Sequence, residues 1–378
     1  MEELRGQFNI ADGVAQLPHR AARLLSHLRT RGASVPMTTE PWTRERCDEA
    51  MRRGSHQSSH SEREFVAAEL LDFCHQGYWI VLPYEVAASL PGLRVSPLGV
   101  VPQRDRRPRL IVDYTFSAVN AETARWAPRE AMQFGRALQR VFTTIVHAHP
   151  RYGPVRMAKI DVADGFYRVW VQTRDIAKLG VVLPASPGCT PLIAFPLALP
   201  MGWVESPPYF TAVTETTCDL ANAKLARPGQ LEPHRLEGVA ATPPPDDDTL
   251  PSPPSPVVDI PPTLCATSRP PVASVDIYVD DFLLLAQTAH QRTKVMRATL
   301  SSIDDVLRPR SEKDPPHRTE PASVKKMQKG EMHPGLRGSE SSVGMSILRL
   351  SPFISLPIAS RAVARSSCGY YLPTGASP

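Results

Sequence analysis

The chain has few cysteines, no long uninterrupted apolar run and no large excess of one charge. Each lack closes off a class of protein. The six cysteines (Cys47, Cys74, Cys189, Cys218, Cys265 and Cys368) are scattered over 378 residues, with no CxxC pair and no Cys/His knuckle spacing. That argues against a disulfide framework or a structural zinc and fits a reducing compartment. Proline or charge breaks every apolar stretch before the roughly 20 residues that a membrane-spanning helix needs, and no signal-peptide pattern opens the chain. The expectation is a soluble intracellular protein of the cytoplasm or nucleus, with no membrane partner. Lysine and arginine (43) only slightly outnumber aspartate and glutamate (38), for a net charge of +5. This mild excess is compatible with a polyanionic partner without demanding one. No internal repeat is present, which removes the solenoid and propeller classes.

Proline is what the chain has in abundance: 40 residues, unevenly spread. "ATPPPDDDTLPSPPSPVVDIPP" lies inside residues 222–274, and a segment of that composition cannot bury a core; an extended or disordered insertion is expected. Around it the patterning is regular. A basic amphipathic helix is expected within 18–32 and a linker over 46–62. "SEREFVAAELLDFCHQG" predicts a helix over 61–77, with Ser61 and Glu64 as a capping box and Gly77 as its stop. "GYWIVLP", "SPLGVVPQ" and "PRLIVDY" read as strands, the last two joined across the basic tip "QRDRRPR". Helical period returns over 128–149 through Met132, Leu138, Phe142 and Ile145. Ser206 then Pro207 mark a helix start, and 288–308 reads as a last helix carrying Met296, Leu300, Ile303 and Leu307.

The chemistry is concentrated in "SVDIYVDDFLLLA", residues 274–286, where Asp280 and Asp281 sit back to back between two apolar strands. Adjacent carboxylates in such a place repel each other and lose hydration, so they neutralise or take a cation. A third carboxylate, Asp161 in "KIDVADGF", ends another apolar strand. Taken singly, Asp280 and Asp281 read as an acidic surface turn and Asp161 as a strand-end or cap residue. Together, three carboxylates on neighbouring strand ends can hold two divalent cations roughly 3.5–4 Å apart, the arrangement of phosphoryl transfer. Magnesium suits hard oxygen ligands and phosphate substrates, with manganese as the alternative ion. Arg104, Arg106, Arg107 and Arg109 offer planar forks for a triphosphate, or form a solvated charge run. Gly202 in "LPMGWVESPPYF" allows close backbone approach ahead of a helix.

In these residues the chain resembles the reverse transcriptases of retroviruses and retrotransposons. "RPRLIVDYTFSAVN", "DVADGF", "LPMGWVESPPYF" and "YVDD" are similar to that family's signature blocks and occur in its order, over roughly residues 78–330. The resemblance implies an α+β right-hand polymerase fold: fingers, a palm whose antiparallel sheet is flanked by helices, and a partial thumb. By that likeness residues 1–60 form a partly disordered N-terminal region and 61–155 the fingers. The palm is split between 156–221 and 275–310 by the insertion at 222–274. A partial thumb or connection with a degenerate tail takes up 311–378. The implied activity is RNA-directed DNA synthesis by two-metal transfer of dNTPs onto a primer 3′-OH, on an RNA or DNA template. Asp161, Asp280 and Asp281 would be the catalytic, metal-binding carboxylates. Arg104, Arg106 and Arg109 would contact the triphosphate. Phe166 would be the aromatic gate against a ribose 2′-OH. Tyr114, Met201 and Gly202 would line the nucleotide pocket, with Tyr278 near the primer end. The alternative is a degenerate remnant, inactive through truncation, that only binds nucleic acid.

Overall fold

The structure is a computed structural model that describes residues 14–104, 106–162, 164–185, 188–234 and 269–307. Among the described residues four α-helices precede the first strand: α1 (Ala22–Thr30), α2 (Arg44–Arg53), α3 (Gln57–Ser61) and α4 (Arg63–His75). Then follow β1 (Trp79–Pro83), the hairpin β2 (Val95–Gln103) and β3 (Arg106–Val112), and helix α5 (Ala137–Val146). The chain continues through β4 (Arg156–Asp161), β5 (Gly180–Val182), β6 (Leu192–Pro196) and the long helix α6 (Ser206–Ala226). Strands β7 (Ala273–Tyr278) and β8 (Asp281–Ala286) and helix α7 (Ala289–Leu307) complete the described residues.

The strands form a mixed α/β architecture of two sheets. A five-stranded sheet runs β1-β6-β5-β2-β3, antiparallel except where β2 lies parallel to β5. A three-stranded antiparallel sheet runs β4-β8-β7, with α6 and α7 packed against it. One continuous apolar core joins them, drawing Leu98, Leu110 and Phe195 from the first sheet and Ile160, Ile277, Phe282 and Leu284 from the second. Strand β8 is buried at Phe282, Leu284 and Leu285, as its near-unbroken apolar run requires of a central strand. Among the described residues no helix is long and apolar enough to cross a membrane.

Several local expectations need correction. The segment expected as linker contains α2 and α3. Thr43 caps α2 by accepting from Arg46 N, and Cys47 and Ala50 are buried against the core. Two apolar contacts on an otherwise charged helix were too few to show as periodicity. The capping box at Ser61 does not form: α4 begins at Arg63, and Ser61 Oγ donates back to Gln57 O at 3.2 Å, within the preceding helix. The helix over 128–149 is regular only from Ala137, behind two 3₁₀ turns at Arg129–Ala131 and Phe134–Arg136. Its buried side is Ala137 and Val141, while Leu138 and Phe142 face solvent. Arg140 decides that rotation, because it makes a bidentate pair with Asp276 of β7 at 2.8 and 2.5 Å. Helix α6 runs five residues into the segment expected as insertion, and 235–268 lie outside the described residues. The tail from 308 onward also lies outside them.

Candidate metal centre

The centre is built where three strand termini meet. Strand β4 ends at Asp161 and β8 begins at Asp281, and the register sets these two residues directly opposite each other. On its other side Asp281 faces Tyr278, which leaves Val279 and Asp280 as a two-residue hairpin loop. A ligand oxygen from each of Asp161, Asp280 and Asp281 lies within 4.8 Å of the others, and all three residues are half-buried. Residues about 120 apart in the chain are thus neighbours because β8 is the central strand. Its first residue inherits one neighbour from β4 and one from the turn. Val162 N donates to Asp280 O at 3.4 Å and ties the two strand ends together.

Two-residue hairpin loops need a left-handed φ at the first loop position, which glycine ordinarily fills. Here it is Val279, at φ 60°. A β-branched residue in that region is strained, and such strain persists only where neighbours hold it. Thr214 of α6 donates from Oγ1 to Val279 O at 2.8 Å.

A lysine completes the centre's electrostatics. Lys159 stands two residues before Asp161, so both side chains leave the same face of β4. Lys159 Nζ sits 2.5 Å from Asp281 Oδ2, a diagonal cross-strand pair. The sequence reading missed it, although counting by two along "KID" would have found it. The donor set consists of carboxylate oxygens alone, partly open to solvent, and fits a hard divalent cation such as magnesium or manganese.

The other expected site residues fall into three groups. Phe166 lies on a 3₁₀ turn, Gly165–Arg168, shortly after Asp161, and stacks on Phe210 of α6 with ring centroids 4.8 Å apart. Gly165 makes that stack possible, because a Cβ there would come within 2.6 Å of Phe210 Cζ. Tyr278 is 49% exposed beside the carboxylates and meets the edge of Phe134 at 5.8 Å.

Gly202 and Tyr114 meet each other behind Val112. Gly202 adopts φ 100°, and a Cβ there would meet Val112 O at 2.3 Å, so its backbone approaches the protein's own strand. Tyr114 corrects the expectation of a pocket-lining side chain. It has 0% exposure and its hydroxyl donates to Leu179 O at 3.1 Å, so it is a core residue supporting Gly202 from behind. Asn120 brackets the same turn, donating to Gly202 O and accepting from Val204 N, both at 2.9 Å. Met201, beside Gly202, is exposed.

Arg104, Arg106 and Arg109 belong to the β2–β3 hairpin, at the end of the other sheet from β1. Arg109 stands opposite Val101 and Arg106 opposite Gln103. Arg104 and Arg109 are exposed. Arg107, between them, is paired with Glu69 of α4 and covers Phe65 at 5.5 Å.

Two carboxylates of the α6 region, Glu205 and Glu215, escaped the sequence reading. Glu205, fully buried, occupies the cap position before α6 that had been given to Ser206, whose hydroxyl donates instead to Pro200 O at 2.7 Å. The Glu205 carboxylate accepts from Trp126 N and Ala127 N at 2.8 Å and from Arg129 at 3.0 Å, which ties the 125–131 connection to the helix. Glu215, nearly three turns further along α6, has its carboxyl pushed up to about 7, chiefly by burial, with Arg140 opposing the rise.

No protein-family model and no curated protein sequence matches the chain. Among solved structures it is similar to a foamy viral protease-reverse transcriptase in complex with double-stranded DNA. The identity is 14%, covering 73% of this chain and 34% of that one, with a TM-score of 0.38. The chain spans about a third of that protein's length.

Proposed function

We propose that the chain is an RNA-directed DNA polymerase of retroelement type, which adds dNTPs to a primer 3′-OH on an RNA or DNA template. One observation carries the reading: Asp161, Asp280 and Asp281, from two distant parts of the chain, present carboxylate oxygens within 4.8 Å of one another. The likeness of four ordered sequence blocks to reverse transcriptases supports it. The mixed α/β fold, with helices covering one antiparallel sheet, is compatible with it.

In this reading Asp161 and Asp280 hold a pair of magnesium ions, with manganese as a substitute and Asp281 as the third carboxylate. Bound there, such ions lower the pKa of an attacking hydroxyl and neutralise a leaving pyrophosphate. The chain's own groups orient the reactants. Phe166, stacked on Phe210, fills the volume that a ribose 2′-OH would need. Gly202 and Met201 form the wall of the nucleotide pocket, with Tyr114 behind them. Arg104, Arg106 and Arg109 take the triphosphate, and Tyr278 lies against the primer terminus. Its work would lie in the cytoplasm or nucleus.

The test is magnesium-dependent dNTP incorporation on poly(rA)/oligo(dT) by the wild-type chain and by Asp280→Asn. Incorporation by the first and near-abolition in the second is expected. Equal rates in both, or no incorporation by the wild type, overturn the reading. Template–primer binding without incorporation would return the alternative of a remnant that only binds nucleic acid.

A further inference from the structure

Strand β7 is the edge of the three-stranded sheet. Its two-residue turn makes Tyr278 and Asp281 a hydrogen-bonded pair, so the backbone groups of Val275, Ile277 and Val279 point away from β8. Buried edge groups need partners. Helix α6 supplies partners for three of these groups from one stripe at positions i, i+4 and i+8. The Asn222 amide acts as a short substitute strand: Nδ2 donates to Val275 O at 2.8 Å and Oδ1 accepts from Val275 N at 3.0 Å. Cys218 Sγ donates to the same carbonyl at 3.3 Å. Ile277 N is taken by the Asp276 carboxylate at 2.7 Å. At the turn itself, the partner is Thr214.

Thr214 differs from the other threonines of its helix. Thr216 and Thr217 donate to Ala212 O and Val213 O, one turn back in their own helix, at 2.7 and 2.9 Å. Thr214 is 3.4 Å from its own-helix acceptor, Thr211 O, but 2.8 Å from Val279 O. It has 0% exposure, so water cannot replace the hydroxyl. The carbonyl it holds belongs to the residue with the strained φ of 60°. If Val279 relaxed toward negative φ, the next peptide would rotate and carry Asp280 with it.

We propose that Thr214 is a positioning residue for the carboxylate centre: its hydroxyl holds Val279 left-handed, and so keeps Asp280 within reach of Asp161. The use of that centre rests on the polymerase reading above; the geometry does not. Three variants of the full chain test it: Thr214→Val, which keeps the shape and loses the donor; Thr214→Ser, which restores it; and Thr214→Val with Val279→Gly, which removes the strain the donor opposes.

Mn2+ affinity, followed by the loss of the free-ion electron paramagnetic resonance signal, is the primary readout. Primer extension and thermal unfolding accompany it. Thr214→Val should weaken Mn2+ binding about tenfold, the scale of a lost buried hydrogen bond. Thr214→Ser should bind like the wild type, and the added Val279→Gly should recover most of the loss. A purely structural threonine would lower the unfolding temperature and leave Mn2+ affinity unchanged, which overturns the proposal. A wild-type chain that binds Mn2+ but extends no primer refutes the polymerase reading alone, since the affinities still decide the role of Thr214. A wild-type chain that binds no Mn2+ refutes both.

Discussion

Lys159 Nζ lies 2.5 Å from Asp281 Oδ2, so one of the three clustered carboxylates already has a cation of the protein's own. The ammonium and a divalent ion compete for the same oxygen. The ammonium also partly relieves the repulsion among the three acids. Replacing Lys159 by Met should therefore tighten Mn2+ binding. Both partners are partly exposed, so the pair is worth about 0.2–1 kcal/mol and the change should be about 1.4- to fivefold. Weaker binding in a Mn2+ titration of the variant would show that Lys159 supports the ion and does not compete with it.

Phe166 is held against Phe210 by a stack that only Gly165 permits. As the gate of the proposed polymerase, it discriminates by volume. Phe166→Ala should lower the preference for dNTPs over the matching ribonucleotides by at least about tenfold, the scale of a filled against an unfilled pocket. The ratio of single-nucleotide incorporation rates measures it, and an unchanged ratio assigns Phe166 to packing alone.

Glu215 gives stability a pH dependence with a definite sign. Its folded-state carboxyl is raised to about 7 from its ordinary value of 4.5, chiefly by burial. Between those values the folded chain keeps a proton that the unfolded chain has lost. Stability from this group is therefore full below the unfolded pKa and declines as pH rises toward about 7. Glu215→Gln should flatten that decline. Urea unfolding of both chains at several pH values across the window checks it; parallel curves would mean that Glu215 is solvated.

Gly202 sits at φ 100°, with the space for a Cβ taken by Val112 O at 2.3 Å. Gly202→Ala meets both a disallowed backbone and a rigid carbonyl. It should destabilise the chain by about 3 kcal/mol, the upper range of an overpacked core site. Denaturant unfolding measures this directly, and a loss below about 1 kcal/mol would mean that the turn can open without cost.

How much of this was readable beforehand depended on whether a feature was local. The three carboxylates and the strand pairs stand in or beside short apolar runs that show in the letters. α7, for the same reason, was placed within a residue or two. The helices at 44–61 were not readable, because only Cys47 and Ala50 of α2 and Ser59 of α3 are buried in them. Helix α5 was rotated wrongly because its apolar residues suggested one inner face while a single ion pair, Arg140 with Asp276, chose another.

The sequence by itself determined which residues can ligate a cation, where the strands lie and which family's blocks they resemble, because those depend on residue type and short-range period. Only the tertiary structure decided the company each residue keeps. It set Lys159 on Asp281, aimed the Thr214 hydroxyl at the strained turn, and enclosed Tyr114, expected beside a nucleotide, in the core. The physical reason is that hydrogen bonds and ion pairs act over a few ångströms, while the groups they join here are 65 to 122 positions apart in the chain. Which of them meet is fixed by strand register and helix rotation, and neither is written at any one position.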